Sequence, residues 1–229
     1  MSEFDNPTQA AEFAFKITAE SLKRSTDVDS CVALASKVDE RIEATLAQVK
    51  QSDSPIACKA GCSFCCHLRV LVRPHEAIAL FRYLRSQLPD ETASAIVAKV
   101  LANADLIGSM SETEHIFARI PCAFLVDNCC SAYSARPAIC AAHHSLDRSG
   151  CEASYNDPTD TADRIPMLGG VRHVHGAMEA GISKALKGLN LSGEPVELHT
   201  AVAALLRDPS LIARWRKGRS LLKARSNVI

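Results

Sequence analysis

Apolar residues recur along this chain mostly at helical spacing. Val28, Cys31, Ala35, Val38, Ile42 and Val49 fall every three to four residues, with only Thr45 polar in the series, and so mark one stripe of a helix. A weaker pattern ahead of it predicts a helix over Ala10 to Lys23. Ser52, Asp53, Ser54 and Pro55 then break the periodicity. Arg69 to Arg73 (RVLVR) alternates polar and apolar residues, which predicts a short strand or extended segment. Pro74 suits the first turn of a helix that carries Ile78, Phe81, Leu84 and Leu88, and Pro89-Asp90 punctuates it. Ala93, Ile96, Val97, Val100, Leu101 and Ala104 form the next stripe, ending near Gly108. Ser111 and Glu114 have the spacing of a capping box for one further turn of helix.

From Pro121 to Pro158 the pattern dissolves into Asp, Asn, Ser, Gly and Pro, a loop held by something other than its own apolar core. Met167, Val171, Val174, Met178, Ile182 and Leu186 restore a stripe, and Pro195–Leu206 and Asp208–Leu222 predict two last helices. The expectation is a mainly α protein whose helices flank an irregular cysteine-rich metal-binding centre, with at most one or two short strands. One domain over 1–229 is expected: N-terminal helices in 1–54, the cysteine-cluster region in 55–151 and C-terminal helices in 152–229.

Composition narrows the function classes. The 229 residues are enough for a real core, so disulfides are not needed for folding. The charge is balanced, 26 basic against 26 acidic side chains, which gives no strong pull toward nucleic acid. The start, MSEFDNPTQA, lacks the basic stretch and apolar run of a signal peptide, and no apolar run is long enough to span a membrane. The expected compartment is the cytoplasm, where clustered cysteines read as metal or redox sites before disulfides.

Ten cysteines carry the chemistry. Four lie within nine residues, Cys58, Cys62, Cys65 and Cys66 in the run CKAGCSFCC; Cys122, Cys129, Cys130 and Cys140 follow. Positions i, i+4, i+7 and i+8 share a helix face, whereas Gly61 argues for a tight turn; either brings sulfurs together. Converging thiolates are what zinc, iron and iron–sulfur clusters require. Adjacent Cys65 and Cys66 do not suit one tetrahedral ion equally, so one of them serves a second metal, a bridge or the core. Arg136-Pro137 can start a short helix that puts Cys140, His143 and His144 at i, i+3 and i+4, making both histidines accessory candidates along with Cys151. His67 stays a candidate; His173 and His175, two apart on a helix, read as structural. Four thiolates on a divalent zinc leave two negative charges, which Arg136, and then Arg69 and Arg73, are placed in sequence to offset. Lys59 reads as a solvated charge, and Cys31, on the apolar stripe, as a small hydrophobe.

These residues resemble a known family. The spacing C-x3-C-x2-CC, with an extended segment and a helix near Glu76, is similar to the YkgJ-type cysteine cluster proteins, a zinc- or iron-chelating domain. The second half of their pattern reads here Cys122-Ala123-Phe124-Leu125, then Cys130 through Tyr133 and Arg136-Pro137 to Cys140. Ala132, Ala141 and the extra Cys129 depart from it. The resemblance implies a metal ion held by Cys58, Cys62, Cys65, Cys66, Cys122, Cys130 and Cys140, with no settled reaction. Flagellin lysine methylases carry a similar cluster, so an enzyme is conceivable.

Other readings remain open. An iron–sulfur enzyme or electron carrier fits the cysteine count as well as zinc does. Cys58, Cys62, Phe64 and Cys65 also match the C-x3-C-x-aromatic-C signature of radical S-adenosylmethionine enzymes, but the repeated strands of such a barrel are missing. A zinc module binding nucleic acid would draw on the basic tail, Arg214, Arg216, Lys217, Arg219, Lys223 and Arg225; Trp215 is placed to anchor that tail.

Overall fold

The computed structural model describes residues 6–24, 28–50, 56–159 and 165–222. The protein is mainly α: among these residues there are ten α-helices and only two two-stranded antiparallel sheets. The break at Ser52–Pro55, and Lys223 and Arg225 of the basic tail, lie outside the described residues.

Two long helices open the chain, α1 (Pro7–Arg24) and α2 (Asp29–Lys50). On α2, Cys31, Leu34, Val38, Ile42 and Leu46 are buried at the expected spacing, so the periodicity is a core stripe. Strand β1 (Leu71–Val72) leads into α3 (Pro74–Ser86), where the Arg73 N–H donates to Glu76 Oε2 over 2.7 Å and Pro74 takes the first turn. Helix α4 (Asp90–Gly108) follows, then α5 (Glu112–Phe117) behind the capping box that the sequence predicts, with Ser111 Oγ accepting from Glu114 N and Glu114 Oε2 from Ser111 N.

The stretch from Pro121 to Pro158 is more ordered than its composition suggests. It holds a hairpin of β2 (Leu125–Val126) and β3 (Cys129–Cys130), one turn of helix α6 (Ala138–Ala141) and a nine-residue helix α7 (Arg148–Asn156). Asp127 and Asn128 both sit in the left-handed region, φ 49° and 59°, the geometry of a tight two-residue hairpin turn. Helix α6 stops at Ala141, so His143 and His144 do not continue a helix with Cys140. The chain is drawn out instead: the Leu168 N–H donates to the His144 carbonyl, and Ser145 bridges Met167.

The C-terminal part consists of α8 (Gly169–Gly188), β4 (Val196–Glu197), α9 (Leu198–Arg207) and α10 (Leu211–Arg216). The last helix is shorter than its sequence pattern. Gly218, at φ +80°, lets the chain reverse, with Gly218 N bonded to Trp215 O and Arg219 N to Arg214 O. Trp215 is fully buried, and its Nε1 donates to the Ser192 carbonyl over 2.7 Å, so it does anchor this segment.

Helices far apart in sequence form the frame. Helix α1 packs along α8, α2 lies against α3 and α8, and α4 and α3 pack on α9. Gly181 of α8 makes the first contact close: a Cβ there would collide with the Ala11 carbonyl of α1. Strands β1 and β4 pair antiparallel, Leu71 with Glu197 and Val72 with Val196. Helix α6, which carries Cys140, lies against α2 and β1, and α7, which carries Cys151, lies against the segment Phe64–His67. The described residues contain no helix long and apolar enough to cross a membrane, and their two-stranded sheets contain nothing of a strand–helix barrel.

Candidate metal centre

The run from Cys58 to Cys66 folds as a turn followed by a 3-10 segment. Gly61 takes φ +81°, the Cys62 N–H closes the turn on the Lys59 carbonyl at 3.0 Å, and Phe64–His67 form the 3-10 turn. The tight-turn alternative therefore holds. Within this turn the adjacent Cys65 and Cys66 keep their side chains close enough to hydrogen-bond to one another.

Main-chain bonds stitch this run to the second cysteine group at both ends. The Ala57 N–H donates to the Ser145 carbonyl at 2.9 Å, and the Ser145 N–H donates to Cys58 Sγ at 3.3 Å. At the other end the Cys122 N–H donates to the Cys66 carbonyl at 2.8 Å. The hairpin returns Cys130 alongside Leu125, whose N–H is bonded to Cys122 O. Glu76 fixes α6, and with it Cys140, by accepting from Ala138 N at 2.8 Å.

The thiols fall into two adjoining groups. Cys140 feels Cys122, Cys130 and Cys66; burial first, and then their mutual repulsion, push its pKa well up. Burial also pushes Cys122 up to about 12 and raises Cys130, and both face Cys66. On the other side Cys58 is raised by burial and lies near Cys62 and Cys151. Cys65 and Cys66 join the groups: a hydrogen bond between their side chains raises Cys65 and lowers Cys66, and Cys65 also faces Cys140 and Cys58. Cys31 is buried in the apolar core and Cys129 is exposed on the hairpin.

As they stand, no three His, Cys, Asp or Glu side chains among the described residues are gathered closely enough to hold a metal ion. Partly buried thiols that repel one another as anions keep their protons, whereas a dication favours thiolates and offsets their repulsion. Soft sulfur donors at this density fit zinc or iron.

The side chains expected to assist are placed as follows. Arg136 turns toward α2, where it pairs with Asp39 at 3.5 Å and with Glu43, and it lies over the Tyr133 ring at 3.9 Å. Its charge still reaches Cys130, whose pKa it lowers against the effect of burial. Arg69 pairs with Glu112 at 2.9 Å, Arg73 with Glu179 at 2.7 Å, and Lys59 is exposed. His67 has Nδ1 3.0 Å from the Ser63 carbonyl and its ring edge-on to Tyr155. His143 is held below the ordinary histidine pKa by burial and by Arg172, and it lines a cavity with Cys65 and Cys151. His173 is exposed, and His175 lines a separate cavity beside Arg73 and Glu179.

Two groups escaped the sequence reading. The buried His199 accepts from Ala123 N through Nε2 at 3.1 Å, and its Nδ1 meets Glu197 Oε1 at 3.0 Å. The ring proton therefore sits on Nδ1, and the pair pins the backbone just after Cys122. Glu76 does the same for α6. The β4–α9 junction carried no local signal for this, because the partner lies on a remote loop.

Residues 57–161 match the model of the CxxCxxCC family, described as "Putative zinc- or iron-chelating domain". This is the family that the cysteine spacing resembles, and the matched segment takes in every cysteine except Cys31. No curated protein and no solved structure matches the chain.

Proposed function

We propose that the protein chelates zinc or iron through eight thiolates in two adjoining groups, Cys66, Cys122, Cys130 and Cys140 in one and Cys58, Cys62, Cys65 and Cys151 in the other. One observation carries this reading. Thiols from the 58–66 run, Cys122 and the hairpin after it, α6 and α7 lie near enough for each to feel the charge of others in its group. Bound metal would supply strong cross-links among four segments with little apolar core of their own. The chain's own residues do the rest: Gly61 turns the first run, Glu76 and His199 set the backbone at Cys140 and Cys122, and Arg136 puts positive charge beside Cys130.

A second reading draws on Cys65, which faces thiols of both groups. An unbroken thiol array suits an iron–sulfur cluster, in an electron carrier or a methylase-like enzyme.

Anaerobic purification followed by absorption spectroscopy and elemental analysis tests both readings. Zinc gives a colourless protein with stoichiometric metal and no inorganic sulfide; an iron–sulfur cluster gives a brown one containing sulfide. Cys140→Ser should lose about one metal equivalent and melt several degrees lower, as expected for a lost structural ligand, whereas Cys129→Ser keeps both properties. Absence of stoichiometric metal from both aerobic and anaerobic preparations, or unchanged metal in Cys140→Ser, removes the proposal.

A further inference from the structure

A cavity of about 320 Å³ opens beside the cysteine centre, and Cys65 and Cys151 form part of its wall. That volume lies at the lower end for small-molecule sites. Phe64, Leu68, Ile165 and Met167 give its wall apolar surface. The wall also presents His143, Ser154, Tyr155 and Arg172, and no carboxylate of the described residues lines it.

Among the described residues, Arg172 is the one Arg, Lys, Asp or Glu side chain on its wall. Arg172 reaches it from α8, exposed and with no carboxylate partner among the described residues. Arg148 stands 5.8 Å over the Phe64 ring, and Arg119 donates to the Ser154 carbonyl at 2.7 Å. Arg73, Arg136 and Arg207, by contrast, are each paired with acidic side chains. The aromatic wall is fixed: Tyr155 packs on Phe64 at 5.7 Å between centroids and meets the edge of His67 at 4.8 Å.

We propose that this cavity binds a small organic anion with an aromatic or other apolar body, its charge at Arg172 and its body against Phe64 and Tyr155. The ligand then lies directly beside Cys65 and Cys151. Its placement at a metal centre rests on the function proposed above; the selectivity for anions rests on the cavity alone. Size, apolar wall residues, hydroxyl and imidazole groups, and one guanidinium without a carboxylate partner among the described residues are the features of a site that orients a carboxylate-bearing metabolite.

The test is calorimetric titration of the full-length protein as purified, with its metal content measured in the same samples. Phenylacetate is the probe, phenethylamine its counterpart of opposite charge, and inorganic phosphate the anion without a body. Phenylacetate should bind and the other two should bind at least about tenfold more weakly, the worth of one charge-assisted hydrogen bond or of one aromatic contact. Arg172→Gln should weaken phenylacetate by about tenfold with metal content unchanged, and Arg172→Lys should recover part of the loss. Equal binding of phenethylamine, equal binding of phosphate, or no binding of phenylacetate up to about 10 mM overturns the proposal. So does Arg172→Gln that lowers metal content while leaving phenylacetate binding intact, since Arg172 then serves the centre alone. Charge-selective binding to a protein free of metal would sustain this site and remove the metal reading instead.

Discussion

Two buried carboxylates show how single residues set the cysteine backbone, and they titrate with opposite signs. Desolvation alone would raise Glu197, but bonds from His199 and Thr200 outweigh it and hold the group down to about 2. With a folded pKa below the unfolded value, Glu197 contributes stability that is complete above about pH 4.5 and lost as pH falls toward 2. A shift of this size is worth on the order of 3 kcal/mol. Glu197→Gln should therefore flatten acid unfolding, followed by circular dichroism, by roughly that amount between pH 5 and 2. Glu76 behaves the other way. Desolvation, then the charge of Glu179, raise it to about 7, so the fold holds its proton and loses stability as pH climbs from about 4.5 to 7. Glu76→Gln should remove that alkaline decline.

Among the elements, the closest approach is that of α1 and α8 at Gly181. Gly181→Ala must push α1 away from the Ala11 carbonyl and should cost at least about 2 kcal/mol in denaturant unfolding, where Gly188→Ala, with open space around it, is near neutral or stabilising. Most helices were legible in sequence because each buries an apolar stripe at its own period: α2, α4 and α8 sit close to their predicted limits. Helix α7 was not, because the face it turns inward carries Cys151, Ser154 and Tyr155 rather than aliphatic residues. The β2–β3 hairpin was also missed, although Asp127-Asn128 between Leu125-Val126 and Cys129-Cys130 was its signal. The cysteines announced themselves by spacing, whereas Glu76, Glu197 and His199 act across the fold, and no local pattern marks which acid will meet which amide.

At the scale of the molecule, an apolar frame adjoins a region with few aliphatic residues of its own. One cluster of buried residues runs through α1, α2, α3, α4, α8 and α9, and the hairpin and α6 add mainly Phe124 and small alanines. Metal removal by a chelator should therefore act unevenly. Amide exchange should speed up across residues 121–158, while α2, α4 and α9 keep most of their protection. Uniform loss of protection would mean that the frame too depends on the metal.

The pairing of α1 with α8 also sets an order in time. A ribosome delivers the chain from α1 onward at about 5–20 residues per second. The eight thiols of the proposed centre leave the exit tunnel before α8, so for several seconds they emerge with α1 still waiting for its partner. Acquisition of the ion is easiest in that interval, before the late-arriving helix completes the frame beside the nascent centre.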